Sequence, residues 1–230
     1  MKTLLPCLLL SLTAVISAAE PIGSYSREIF SDDFAKDGFG KRWGHYKSGS
    51  LVKDGVLTGI TPEGSDHSAV DNVVIEPERD LQISVKFRYV SDKAKSFNLW
   101  FDDKGYKESH AGHICNVNVS PKAVNIGDAK TGNFRNDIYA KKKTPEGLSV
   151  EDKEMLKSKN KSFPVTLSLE DWHTLVVVTR GDEIFVSIDG KAVGSFKSEG
   201  INHDSKTLIS LTTNAVDVQY DDFSIKAPKK

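Results

Sequence analysis

Leu81-Gln-Ile-Ser-Val-Lys-Phe-Arg-Tyr89 alternates without a break. Leu81, Ile83, Val85, Phe87 and Tyr89 point one way, and Gln82, Ser84, Lys86 and Arg88 point the other. A two-residue period of this kind is a half-buried strand, with its register fixed because a one-residue slip would expose the whole apolar set. The same period runs outward along the chain. Trp172 to Arg180 and Glu183 to Asp189 read as two strands joined at Arg180-Gly-Asp182. A tight Ile188-Asp-Gly-Lys191 turn leads on to Ala192–Phe196, and Leu51 to Leu57 is an earlier Asp-Gly hairpin. Further strands are expected at 67–75, 96–102, 112–119, 122–126, 164–169, 207–212 and 216–225. Many short strands with Gly and Asp turns predict an all-β, antiparallel β-sandwich rather than βαβ units. One short helix is expected, where Ser149-Val-Glu-Asp152 resembles a capping box leading into 153–161. It lies in a Lys-, Asn- and Gly-rich insertion at 128–163, a place where a rigid scaffold often carries binding residues.

The N-terminus has Lys2, an apolar run from Leu4 to Ile16 and small residues at Ser17-Ala-Ala19. This pattern predicts a signal peptide over 1–19, a single domain over 20–230, and a secreted or periplasmic protein. Loss of the leader removes Cys7 and leaves Cys115 alone, so no intrachain disulfide supports the fold. Without Lys2, 30 basic residues face 32 acidic ones, a net charge of −2. That balance calls for neither nucleic acid nor a membrane surface as partner. The oligomeric state is not encoded in any pattern here.

The densest chemistry is Phe101-Asp-Asp-Lys-Gly-Tyr-Lys-Glu-Ser-His-Ala-Gly-His-Ile-Cys-Asn-Val117. In the strand before it Asn98, Trp100 and Asp102 share a face, opposite Phe97, Leu99 and Phe101. A ring that stacks on the apolar face of a pyranose, beside a carboxylate for its hydroxyls, suits a sugar or sugar derivative. His110 and His113 with Asp102 or Asp103 supply acid–base groups near neutral pH. Alternation in the strand after it puts His113 on the face of Cys115, Val117 and Val119, beside the buried row. Two other readings stay open: a zinc site of His110 and His113 with Cys115 or Asp103, and a polar hairpin end with one packed histidine. A second cluster, Gly64-Ser-Asp66-His67-Ser68, offers Asp66 and His67 at a sheet rim or as a capped turn.

Phe30-Ser-Asp-Asp-Phe34, Trp43, Leu51–Gly59, Trp172-His-Thr-Leu-Val, Ile188-Asp-Gly-Lys191, Gly200-Ile-Asn-His203 and Asp221-Asp-Phe-Ser-Ile225 form an ordered set. In order and spacing this set resembles the 3-keto-disaccharide hydrolase-like domain family, over nearly the whole chain after the leader. The resemblance implies a concanavalin A-like jelly roll and cleavage of an oxidised glycoside or a related glycan. Catalytic roles then fall to Asp102, His110, His113 and His67, and substrate binding to Trp100, Asn98, Asp103 and Asp66. A non-catalytic carbohydrate-binding module and a structural or interaction sandwich are the alternatives, since one fold hosts all three. Glycoside hydrolase family 16 places acidic residues at alternate positions of one strand, as Glu-x-Asp-x-Glu or Glu-x-Asp-x-x-Glu. The nearest match, Glu78-Arg-Asp80, is followed by Gln82 and Ile83, so the third carboxylate is missing. No cofactor is required. The Asp-Asp-Phe motifs near the two termini, adjacent in a jelly roll, suggest Asp33 and Asp222 as ligands of a structural calcium.

Overall fold

The computed structural model describes residues 24–214 and 216–229, so the 1–19 leader lies outside the described residues. Fifteen strands follow in chain order: β1 (Arg27–Asp32), β2 (Trp43–Tyr46), β3 (Leu51–Lys53), β4 (Val56–Ile60), β5 (Ala69–Glu78), β6 (Gln82–Tyr89), β7 (Ser96–Asp102), β8 (His113–Val119), β9 (Ala123–Asp128), β10 (Asn160–Pro164), β11 (His173–Arg180), β12 (Glu183–Ile188), β13 (Lys191–Lys197), β14 (Lys206–Asn214) and β15 (Val216–Ala227). They form two antiparallel sheets. One runs β13-β12-β11-β6-β15-β4-β3 with β1 added beside β15, and the other runs β10-β9-β8-β7-β14-β5-β2. The architecture is a jelly-roll sandwich.

β6 sits mid-sheet between β11 and β15. Its Ile83, Val85, Phe87 and Tyr89, and Leu81 just before it, are fully buried, as the alternation requires. From the facing sheet Phe97, Leu99, Phe101, Val117, Ile126, Ile209 and Leu211 pack against them in one core. Each such side chain contributes about 1.5–3 kcal/mol on burial, so disulfide support is unnecessary. The tight turns behave as their residues demand: Asp54-Gly55 and Asp189-Gly190 both take positive φ, the geometry that matches strand twist in a two-residue hairpin. Arg180-Gly181-Asp182 is likewise the β11–β12 hairpin turn, with Gly181 at positive φ. No helix among the described residues is long and apolar enough to cross a membrane.

The insertion departs from expectation. It holds two helices, α1 (Asn136–Lys141) and α2 (Val150–Lys157), after a π-turn at Ala129–Asn133. The Ser149–Asp152 capping box forms in both directions. However, α2 stops at Lys157 because Asn160 Nδ2 caps the Leu156 carbonyl and the chain then joins β9 as β10. The strand expected at 164–169 is therefore displaced to 160–164. Beyond it Val165 and Leu167 donate to the β8–β9 turn, at the carbonyls of Lys122 and Pro121, and Pro121 has no N–H to return.

Candidate functional site

The outer face of the seven-stranded sheet is polar, because every second residue of its strands turns away from the core. Register aligns these residues into rows across the strands. Gly127 of β9, Asn116 of β8, Trp100 of β7, Ser210 of β14, Asn72 of β5 and Gly44 of β2 are successive partners. A parallel row runs Asn125, Asn118, Asn98, Thr212, Val70 and Tyr46. Over this face lies a cleft of about 720 Å³. Its floor includes Asn72, Asn98, Trp100, Asp102 and Ser210. Tyr46, Asp66 and His67 line one side, and His110, Phe134 and Tyr139 line another.

At the centre His113 Nδ1 donates to Asp102 Oδ1 at 2.7 Å. The His113 ring lies 4.4 Å from Trp100 and 4.6 Å from Phe134, centroid to centroid. This placement corrects the alternation, which put His113 on the core side with Cys115. Phe101 pairs with Cys115 but Asp102 pairs with His113, so Ile114 is an extra residue. Ile114 and Cys115 are both fully buried, and the bulge swings His113 onto the Trp100–Asp102 face. The loop that closes here turns back at Gly112, at positive φ, where an added Cβ would meet the Asp103 carbonyl oxygen at 2.1 Å.

Asp102 is only 3% exposed. Burial raises its carboxyl above the ordinary aspartate value, and the His113 bond opposes that rise without cancelling it. The bond commits Nδ1 as donor and leaves Nε2 as the nitrogen that faces no partner among the described residues. His110 stacks on Tyr139 at 3.8 Å and 11°, with its centroid 6.3 Å from that of His113. Burial first, then the positive fields of His113 and Lys143, holds His110 below the usual histidine range. His67 stands across the cleft, donating Nδ1–H to its neighbour's carbonyl at Ser68 and meeting Tyr46 edge-on.

Aspartate–histidine pairing is itself common in this molecule. His45 pairs with Asp71, His173 with Asp189 and His203 with Asp103. The second and third of these lock turns, and none of the three histidines lines the cleft. Location, rather than pairing, singles out Asp102 and His113.

The structure thus gathers Asp102, His110, His113, His67, Trp100, Asn98 and Asp66 around one space. Asp103 is the exception among the expected binding residues. Its carboxylate is folded away onto His203 Nε2, the Gly105 amide and the Thr207 hydroxyl, and it shapes the loop instead. Asp66 sits at the rim in an ion pair with Lys47. The zinc alternative through Cys115 fails on position: the sulfur is buried in the core and its thiol is pushed up to about 12 by desolvation.

The two acidic residues nearest a family 16 pattern lie outside the cleft: Glu78 accepts from Arg27, and Asp80 accepts from the Gly181 amide. Asp33 and Asp222 both line a depression of about 890 Å³ where β1 pairs with β15. There Asp33 accepts from the Ala35 amide and Asp222 is ion-paired with Lys86. No group of three or more His, Cys, Asp or Glu able to hold a metal occurs among the described residues.

Sequence reasoning missed Asn72, Ser210 and Thr212 on the floor and Tyr46, Phe134 and Tyr139 on the walls. The signal for the walls was present, because Phe134 and Tyr139 are isolated aromatics in a Lys-rich insertion. The floor residues needed the strand order.

No family model matches the chain, and no curated protein matches its sequence. Solved structures match its fold. A laminarinase from Rhodothermus marinus superposes with a TM-score of 0.61 at 12% identity, covering 89% of this chain and 98% of that one. The carbohydrate-binding module CBM66 from Bacillus subtilis gives 0.54 at 10% identity, covering 81% and 96%. A sialidase gives 0.60 at 12% identity over 89% of this chain, which spans only 19% of the sialidase. The chain shares the concanavalin A-like jelly roll of these proteins.

Proposed function

We propose that the chain is an exported carbohydrate-active protein whose cleft cleaves an oxidised, 3-keto glycoside, with His113 as general base. The observation that carries this reading is the Asp102–His113 pair, set against Trp100 in a cleft whose only carboxylates among the described residues are Asp102 and Asp66, both already paired. Ordinary glycosidases need two carboxyl groups flanking the scissile bond. Here Asp102 is buried and committed to His113, while Asp66 is at the rim and paired with Lys47.

A keto group at C3 changes the requirement. It acidifies the C2 hydrogen, so that a base alone opens the path. His113 Nε2 takes the C2 proton, the electron pair forms the C1–C2 double bond, and the C1–O bond breaks with its electrons on the leaving oxygen, which takes up a proton. Water then adds at C1 and a proton returns to C2, for a net hydrolysis. Asp102 holds the ring in the tautomer that leaves Nε2 free and stabilises the imidazolium that forms. Export is supported by the leader pattern at 1–19, and carbohydrate as the ligand class by the stacking platform and amide-lined floor. The glucan- and carbohydrate-directed names of the structural neighbours agree with that class.

The test is hydrolysis of matched glycosides and their 3-keto derivatives by the wild type and His113→Ala, with binding followed in parallel. Turnover of the keto series that falls at least about 10²-fold in the folded variant supports the assignment. Binding without turnover by the wild type would make this a lectin-like module, a reading the asparagine-rich floor would also serve.

A further inference from the structure

A second, smaller compartment of about 250 Å³ adjoins the cleft and shares Trp100 and Phe134 with it. Asn116, Asn125, Gly127, Asn133, Lys159 and Asn160 supply most of the rest of its lining, with Asp128 and the apolar Ile126 and Ala129. The polar rows described above therefore continue past Trp100 toward β10. From this continuity we infer that the site accepts a sugar chain laid across the strands, not one isolated sugar. Trp100 would lie under the unit next to His113, and further units would occupy the arm over β8, β9 and β10. The inference rests on the reading of the cleft as a carbohydrate site and extends it to the length and direction of the ligand.

Three observations carry it. The floor from Asn72 on β5 to Gly127 on β9 crosses four strand spacings, roughly 19 Å at about 4.8 Å each. One strand spacing is close to the advance of one sugar unit in an extended chain, so each row position meets one unit. The arm also keeps hydrogen-bonding capacity unspent. Asn116 Nδ2 donates to Asn98, Asn125 Nδ2 to Asn118 and Asn160 Nδ2 to the Leu156 carbonyl. Among the described residues the Oδ1 atoms of Asn116, Asn125 and Asn160 accept from no donor, and they are available to hydroxyls. Finally, both ends of the Trp100 row are glycine. A Cβ at Gly127 would stand 2.6 Å from Asn116 Oδ1, and one at Gly44 would stand 2.7 Å from Asn72 Oδ1. These glycines let the amides lie flat along the floor, where any larger residue would push them up into the path of the chain.

The test uses ladders of two to six units of β-1,3-, β-1,4- and α-1,4-linked glucose oligosaccharides. Affinity is measured by titration calorimetry for the wild type, Asn125→Trp and His113→Ala. Asn125 faces outward on β9 and among the described residues its only side-chain bond is the long one to Asn118, so tryptophan fills the arm without entering the core. In at least one ladder the wild-type affinity is expected to rise tenfold or more from two to five units. Asn125→Trp should abolish that rise and leave two-unit binding within about threefold. His113→Ala should keep the rise. Binding that does not depend on length overturns the inference while the central cleft stands. A rise that persists in Asn125→Trp overturns the assignment of the arm. Failure of every ladder to bind overturns the inference, while binding and turnover of the 3-keto glycosides decide separately whether the carbohydrate reading beneath it stands.

Discussion

Asp102→Asn separates a residue kept for chemistry from one kept for stability. The carboxylate is almost completely buried, and among the described residues its one hydrogen bond goes to His113. A hydrogen bond to a charged group contributes about 1.5–3 kcal/mol. Taking a carboxylate out of water costs several kcal/mol. The raised Asp102 pKa says that burial wins over the His113 bond. Asparagine keeps the volume and removes the buried charge. At pH 7 the variant should therefore melt within about 1 kcal/mol of the wild type, or above it, which for a chain of this length is a loss of no more than about 2–4 °C.

The pH dependence follows from the same shift. A raised acid is protonated more easily in the folded protein than in the unfolded one. Its contribution is complete below the ordinary value of 3.8 and is lost as pH climbs through the folded value. Asparagine does not titrate, so the variant should gain on the wild type as pH rises, and the gap should close in acid. Catalysis should move the other way. An amide N–H facing Nδ1 favours the tautomer with its proton on Nε2, which removes the base and costs about 10²–10⁴ in turnover. Thermal melts between pH 3.5 and 8, with rates on the keto glycosides, measure both. A stability loss above about 3 kcal/mol at pH 7, or a gap that does not change with pH, would refute this account of Asp102.

Two further outcomes follow from charges elsewhere. Lys143 is among the causes that hold His110 low, after burial and His113, so Lys143→Ala should raise the His110 titration point in an NMR pH series; an unmoved midpoint would remove that lysine from the cleft's electrostatics. Asp128 is buried and accepts from the Thr131 amide and hydroxyl, the Ser198 hydroxyl and the Gly200 amide, tying the base of the insertion to the segment before β14. Asp128→Ala should cost about 3 kcal/mol or more in urea denaturation, and a loss below about 1 kcal/mol would show that the insertion is anchored otherwise.

The fold was legible because it depends on a local quantity. Period two in Leu81–Tyr89 and in Trp172–Asp189, with Asp-Gly turns between strands, specifies half-buried hairpins whatever their partners. The capping box at Ser149 was legible for the same reason. What was missed locally was a stop: Ser158 and Asn160 are weak helix formers, the Asn160 amide caps the Leu156 carbonyl, and the chain from Asn160 pairs with β9. The cleft was legible only in halves. Trp100 beside Asp102, and His110 near His113, can be read along the chain. By contrast Asn72, Ser210 and Trp100 meet through strand order, which no alternation encodes.

His113 shows how a single residue decides a site. Counting back by twos from Val117 puts Cys115 and His113 inside, and the sequence then reads as one packed histidine at a hairpin end. Yet Ile114-Cys115 breaks phase, with two apolar neighbours ahead of strict alternation from Asn116 onward. A bulge absorbs such a break by burying both residues, and everything before it changes face. Asp102 demands the same solution from the opposite strand. Its position in β7 closes it off from solvent, and an unpartnered carboxylate there would cost several kcal/mol. With the bulge, His113 becomes its direct partner and supplies the hydrogen bond; without it, that place would belong to Ile114, which has no donor to offer. The phase break and the buried aspartate are therefore two marks of one device. It aims an imidazole into the cleft and fixes its tautomer in the same step.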